Sequence, residues 1–298
     1  MPTRPTLVRT WLQLFRAPNL FTVPGDPLAG YLLANGWEVD ITLLYAIVAS
    51  LCFYGAGLLM NDLADEAEDL RERPNRPLPS KAVDRRSVWI VTALLCVGGL
   101  GTLALCGKPY AVIAGAALLG AIALYNWITK GWPVIGALNM GLCRSLSLML
   151  GAFVGPVAIH AMGIMAALSF GLYIAAVTNL ARHETRPRAP TLARLLPVLV
   201  AAAVGYFGIS AALQAPDKTP AVALYALATG VVLWLAVKMF RTATPLPPLI
   251  GAHIRALLLL QAATCYLAEP TEIGRYAAVA LLVLWPISRF VGRWFYAS

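Results

Sequence analysis

The chain of 298 residues is 59% hydrophobic and 12% charged, with a mean hydropathy of +0.72, whereas a soluble domain carries about a quarter charged residues. That composition excludes an ordinary soluble enzyme and points to residence in the lipid bilayer. The net charge of +9 does not imply a nucleic-acid partner, because the bases stand at the ends of apolar runs, where the positive-inside rule expects them.

Residues 1–17 are basic and mildly amphipathic, with Arg4, Arg9 and Arg16 among Leu7, Trp11, Leu12, Leu14 and Phe15. They read as a surface segment leading into the first span, with no small-residue cleavage site of a signal peptide after it. Ten candidate spans follow, at about 18–35, 41–60, 86–107, 109–128, 133–155, 160–181, 193–213, 219–240, 249–268 and 273–292, each near the roughly 20 residues that cross the hydrocarbon core. The fourth and ninth are the least marked, so the expectation is an all-α, polytopic bundle of nine or ten spans in a single domain, 1–298. The five cysteines, Cys52, Cys96, Cys106, Cys143 and Cys265, fall inside apolar segments without paired spacing. They read as core residues, not as a disulfide framework or a zinc site.

Charge counting orients the spans. The N-terminus, the loops after spans 2, 4, 6 and 8, and the C-terminus hold 18 of the 23 basic residues, Arg186 and Arg188 among them, while the opposite side holds only Lys108, Lys218 and Arg275. This places both termini in the cytoplasm and favours an even number of spans, in what reads as a bacterial inner or cell membrane. The longest loops join spans 2 to 3 and 6 to 7, on that same side.

The second span ends in Asn-Asp-Leu-Ala-Asp-Glu-Ala-Glu-Asp, with Asn61, Asp62, Asp65 and Asp69 in the pattern NDxxDxxxD. If the helix continues through it, these side chains project at about 0°, 100°, 40° and 80° around the axis. Four oxygen-bearing groups then share roughly a quarter of the helix surface, like charges repel, and a cation relieves them. Magnesium is held through one or two carboxylates plus phosphate oxygens and water. The following stretch, Arg-Glu-Arg-Pro-Asn-Arg-Pro-Leu-Pro-Ser, sets Arg73 and Arg76 on a proline-stiffened loop, and the planar guanidinium suits phosphate. The bland alternative is a solvated loop of mixed charge; the one-sided array beside the stiff arginine loop favours function.

Asn61-Asp62-x-x-Asp65-x-x-x-Asp69 followed by Arg73-Pro-Asn-Arg76-Pro-Leu-Pro-Ser resembles the first signature of the UbiA superfamily of intramembrane prenyltransferases. Within it the chain looks most like the UbiA-like EboC branch. The resemblance implies a helical bundle around a central cavity and Mg2+ bound by two Asp-rich motifs. It also implies a polyprenyl diphosphate drawn from the bilayer, whose allylic group is captured by an aromatic or other electron-rich small-molecule acceptor. It would give Asp62, Asp65 and Asp69 catalytic roles, with Asn61 beside them at the metal.

Tyr125 and Lys130 end the fourth span; Lys130 is either a diphosphate ligand or a snorkelling lysine. Arg144, inside the fifth span, must face the interior and pair. A motif carboxylate or Glu184 is the expected partner, and the diphosphate a candidate ligand. The second motif weakens: Thr178-Asn179-Leu180-Ala181-Arg182-His183-Glu184-Thr185-Arg186-Pro187-Arg188 has Glu184 as its only acid. Glu184 is the candidate metal ligand there, while Arg182, Arg186 or Arg188 can touch phosphate directly or simply mark a positive-inside loop. The second functional reading is therefore a non-catalytic lipid- or isoprenoid-binding or export-assembly subunit that keeps the fold and half the site.

Overall fold

The computed structural model describes residues 6–36, 38–155, 160–184, 188–214, 216–241 and 244–294. Arg4 and Arg186 lie outside the described residues. Everything regular among the described residues is helical, as a bilayer demands: no water is there to satisfy a free backbone group. The helices are α1 (Leu7–Leu14), α2 (Ala17–Leu20), α3 (Gly25–Asn35), α4 (Ile41–Glu72), α5 (Arg85–Ala104), α6 (Pro109–Leu124), α7 (Pro133–Val154), α8 (Ala161–Ala181), α9 (Thr191–Ala212), α10 (Thr219–Arg241), α11 (Leu246–Ala268) and α12 (Glu272–Val291). Nine of them among the described residues, α4 to α12, are long and apolar enough to span a membrane, and the protein is an integral membrane protein.

The ends are fixed by local chemistry. Asp40 caps α4 by accepting from the Thr42 N–H at 2.8 Å, and Asp84 caps α5 by accepting from the Ser87 N–H at 2.9 Å. Those bonds hold the exposed Asp84 carboxyl below the usual carboxylate range. Prolines open α6 and α7, where a missing N–H is harmless.

The expected first span, 18–35, is not one helix. Pro18, Pro24, Gly25 and Pro27 divide it into α2 and α3. At 11 residues, α3 rises only about 16 Å, short of the roughly 30 Å hydrocarbon core. The segment nevertheless runs from one end of the bundle to the other. Ser288, late in α12, donates to the Pro18 carbonyl at 2.7 Å, whereas Asn35 packs on Gly155 beyond the end of α7. The nine long helices and this broken segment give ten crossings by connectivity. The even count puts α1 and the end of α12 on the side that carries the acidic motif.

α4 has 32 residues, about 48 Å of helix, so its last turns project beyond the hydrocarbon core. Leu14, Leu59, Leu63, Leu78, Val83 and Val88 bury a small core there that seats α1 and the 73–84 loop on α4 and α5. Two larger cores lie within the bundle. One joins α3 to α7, and the other joins α3, α7 and α8 to α12 around α11, whose Leu257, Leu258, Leu259 and Leu260 are all buried. Large side chains such as Leu94, Tyr206 and Tyr276 are exposed on the outer faces, as lipid-facing residues should be. The five cysteines are free, and Cys265 alone is buried outright.

α3 crosses α7 backbone to backbone. A Cβ added at Gly151 would stand 1.9 Å from the Pro27 carbonyl oxygen, and one at Gly30 would stand 2.0 Å from that of Leu148. Gly151→Ala should therefore cost about 1–3 kcal/mol through overpacking, read as a lower thermal unfolding midpoint in detergent. Gly98→Ala, which meets open space, should leave the midpoint unchanged or slightly raised. Equal midpoints for wild type and Gly151→Ala would contradict this crossing.

Candidate functional site

The helix does continue through the acidic motif, and the bundle decides which of its faces matters. Asn61, Asp65, Glu68 and Glu72 form one stripe toward a cavity of about 590 Å³, at i, i+4, i+7 and i+11. Asp62 and Asp69, some 60–100° away around the helix, turn to the flank and do not line it. The sequence-based grouping of four thus splits into two that face the cavity and two that brace the helix, while Glu68 and Glu72 join the cavity wall.

The three aspartates of the motif each meet a base. Asp62 pairs with Arg16 at 3.6 Å, and Asp69, only 3% exposed, pairs with Arg76 at 2.8 Å. Asp65 pairs with Lys130, whose ammonium also donates to Asn61 Oδ1 at 2.8 Å; the Asn61 amide donates to Asp65 at 3.1 Å. Arg73 reaches across to Glu184 at 2.8 Å. Outside the cavity, Arg85 pairs with Glu66 at 3.2 Å. Arg16 was absent from the expected site. It holds a left-handed backbone at φ 43°, a conformation that costs about 1–2 kcal/mol outside glycine, and the ion pair to Asp62 helps hold it.

Lys130 comes to the mouth because α6 ends in a π-helical turn, Tyr125–Thr129. This turn sets Tyr125, Asn126 and Lys130 on the cavity wall. Asn126 donates to the Ile122 carbonyl at 3.0 Å and to the Gly57 carbonyl at 3.4 Å, pinning the turn to α4. Asn139 stays structural, donating to Ala121 and Thr129. In the second loop Thr178, Arg182 and Glu184 line the same cavity, while Asn179, His183 and Arg188 do not. Arg182 is held by the Gly131 carbonyl at 3.3 Å. The two long loops therefore converge, joined by Arg73 and Glu184.

Arg144 corrects an expectation. Its partner is neither a motif acid nor Glu184 but Asp26, at 2.7 Å from Nε, and Nη2 donates to the Thr22 carbonyl at 2.6 Å. Arg144 also lines the cavity, about 16 Å along α7 from Pro133 at the mouth. That is too deep for a diphosphate held by Lys130.

Among the described residues no three His, Cys, Asp or Glu side chains converge as a metal cage. The donor set fits magnesium in its other mode, in which one or two protein oxygens share the ion with phosphate and water. Asn61 Oδ1 and the Asp65 carboxylate, with Glu68 one turn on, face the space that Lys130, Arg73, Arg76 and Arg182 surround.

A model of the UbiA prenyltransferase family matches residues 27–249. Digeranylgeranylglyceryl phosphate synthase of Natronomonas pharaonis is 34% identical over 179 residues, 59% of this chain and 61% of that protein. The same-named protein of Methanococcus aeolicus is 30% identical over 167 residues, 54% and 58% respectively. The chain matches less than two thirds of the length of these two relatives. A UbiA homologue from Aeropyrum pernix K1 superposes with a TM-score of 0.67 over 82% of this chain and 96% of that one, at 17% identity. A UbiA homologue from Archaeoglobus fulgidus, bound to GPP and Mg2+, gives 0.58 over 87% and 99%, at 13% identity. These structural likenesses are likenesses of fold. The chain belongs to the UbiA prenyltransferase family.

The flanking pairs differ in burial, and that sets their worth. Arg76→Ala strands the buried Asp69 carboxylate and should cost about 1–3 kcal/mol. Arg85→Ala breaks an exposed pair worth about 0–1 kcal/mol. Thermal unfolding in detergent should rank the two variants in that order; equal losses would mean that Asp69 is not sealed as described.

Proposed function

We propose that this member of the UbiA prenyltransferase family transfers a polyprenyl group from an allylic diphosphate to an aromatic or other electron-rich small-molecule acceptor, with Mg2+. One observation carries the reading. A stripe of oxygen ligands, Asn61, Asp65, Glu68 and Glu72, faces Lys130, Arg73, Arg76 and Arg182 at the mouth of a cavity whose deeper walls include Phe53, Leu118, Ile122 and Ile254. Acids for a metal and bases for phosphate stand above a chamber with apolar side chains in its walls, which is the demand of an allylic diphosphate. The A. fulgidus homologue bound to GPP and Mg2+ supports the ligand class.

In this reading Asn61 and Asp65 would hold Mg2+, and Glu184 and Glu68 are further acids within the mouth. Lys130, Arg73, Arg76 and Arg182 receive the phosphate oxygens. Asp62 and Asp69 act one step back, fixing Arg16 and Arg76. Bound Mg2+ supplies neutralisation of the departing diphosphate. The allylic C–O bond breaks with its electrons going to diphosphate, and positive charge develops on the prenyl carbon. The bases at the mouth stabilise the leaving group, and the apolar walls keep water from the cation. The acceptor's electron pair forms the new bond, and its proton leaves to a mouth carboxylate.

The orientation proposed with this function sets the mouth and both termini in the cytoplasm of a bacterial cell membrane, on the charge asymmetry of the loops. The finer affiliation with the EboC-like branch rests on sequence resemblance; the similar relatives bear the name digeranylgeranylglyceryl phosphate synthase. A second reading, a non-catalytic isoprenoid-binding or assembly subunit, draws on one observation: Glu184, the only acid of the second motif, is already paired with Arg73.

Purified protein in nanodiscs, given labelled geranyl or longer diphosphates with Mg2+ and an acceptor panel, should release diphosphate. EDTA should abolish the release, and Asp65→Asn should slow it about a hundredfold, the scale of one lost transition-state contact. Intact Mg2+-dependent binding without release against every acceptor would favour the second reading instead.

A further inference from the structure

A second polar centre lies deep in the cavity, and the chemistry at the mouth does not use it. Counting 1.5 Å per residue, Arg144 is about 16 Å below Pro133 on α7, and Tyr54 is about 16 Å below Asp65 on α4. Both line the cavity, together with Ser50 and Ser147, which hydrogen-bond to each other at 2.7 Å.

Arg144 is held from behind. Asp26 is its ion-pair partner, with a carboxylate oxygen 2.7 Å from Nε, and the Thr22 carbonyl, exposed by the break between α2 and α3, accepts from Nη2 at 2.6 Å. Gln261, on the central helix α11, locks both partners by donating to Asp26 at 2.7 Å and to the Thr22 carbonyl at 2.8 Å. Asp26 and Gln261 have no exposed surface, and Arg144 has 8%. Among the described residues Nη2 donates to the carbonyl and Nε faces the Asp26 carboxylate, leaving the two N–H groups of Nη1 for a ligand. A pair that only stabilised the fold would be sealed on every side. This one forms part of the wall of a chamber.

We propose that Arg144 anchors the acceptor by its oxygen-bearing end, and that this end is neutral, a hydroxyl or a carbonyl. Asp26 and Gln261 are the positioning residues. The inference rests on the prenyl-transfer reading and adds to it the acceptor's polarity and place. Neutrality follows from charge: Asp26 already balances Arg144 in a low-dielectric interior, so a buried anion would stand uncompensated. A neutral hydroxyl accepts from Nη1 and donates to a serine oxygen, and a carbonyl accepts from Nη1 and from a serine hydroxyl, both without that cost. With the diphosphate at the mouth and the acceptor oxygen three helical turns below, the acceptor's nucleophilic atom lies between them, beside the allylic carbon.

The test is binding, measured by calorimetry on the full chain in nanodiscs saturated with Mg2+ and geranyl diphosphate. Two matched pairs of probes report head-group charge: hydroquinone against 4-hydroxybenzoate for an aromatic source, and monooleoylglycerol against its phosphate for a glyceride source. The neutral member of one pair should bind the wild type about tenfold or more tighter than its anion, and Arg144→Gln should weaken that neutral probe by about tenfold, the worth of a charge-assisted hydrogen bond. The Kd of geranyl diphosphate should stay within about twofold. Asp26→Asn leaves the Arg144 charge uncompensated and should reverse the preference toward the anion. The double variant Asp26→Asn/Arg144→Gln keeps the site neutral and controls for folding. Preference unchanged by Asp26→Asn, loss of geranyl diphosphate binding in Arg144→Gln, or no probe bound by the wild type would each overturn the inference. Failure of the wild type to bind geranyl diphosphate would instead overturn the prenyl-transfer reading beneath it.

Discussion

A helix longer than the bilayer is thick carries its carboxylates out into the loops, and the loops must answer that charge. α4 projects its last turns beyond the hydrocarbon core, and the bases that meet them come from separate parts of the chain. Arg16 comes from the junction of α1 and α2, Lys130 from the turn after α6, and Arg76 from the loop that follows α4 itself. Arg73 then carries the connection to Glu184 after α8. Removing the projection would remove the reason these loops lie together. The same pairs suit ligand exchange. In the proposed function a metal diphosphate at the mouth would draw Asp65 toward metal and Lys130 and Arg73 toward phosphate, so these paired charges would exchange partners rather than lose them.

Depth imposes a second constraint. Non-helical backbone at membrane depth is tolerated only where protein buries it or it lines a cavity, and the break between α2 and α3 meets both conditions. Its Thr22 carbonyl is taken by Arg144 and Gln261. The break also lets α3 lie directly on α7, with Gly151 and Gly30 at the crossing, and this brings Asp26 beside Arg144. One interruption in the chain thus explains the close helix crossing, the satisfied carbonyl and the buried ion pair.

Most of the fold is legible because a transmembrane helix announces itself by an apolar run: eight of the nine long helices fall within a few residues of the expected spans, and α4 starts at the expected Ile41 but runs on to Glu72, well past 60. The first span was misread as continuous: its apolar length is right, and only Pro18, Pro24, Gly25 and Pro27 mark the division. At the site, the helical wheel correctly grouped Asn61 with Asp65. It could not say how the wheel is turned relative to the bundle, because packing by other helices sets that rotation. Hence Glu68 and Glu72 went unremarked, while Asp62 and Asp69 were expected at the cavity and stand beside it. Arg16 gave no signal beyond being one of many cytoplasm-side bases. Asp26 lies 118 positions from Arg144, and nothing local joins them. The available cue was that an arginine at membrane depth needs an anion at the same depth, which the motif acids and Glu184, at the helix ends, do not satisfy.

The weak second motif now has a physical account. In a site where two acidic motifs share metal, each loop must present oxygen ligands. Here the second loop presents Arg182 and Glu184, and both are fastened: Arg182 to the Gly131 carbonyl beside Lys130, Glu184 to Arg73. The loop therefore acts first as a crossbeam that closes the ring of loops around the mouth. With one acid already paired and an arginine facing the cavity, it offers phosphate a positive charge in place of a second protein-held metal. In the proposed function the holding of magnesium would then fall to the stripe of α4, above all to Asn61 and Asp65, whose direction is set by the rotation of that one helix.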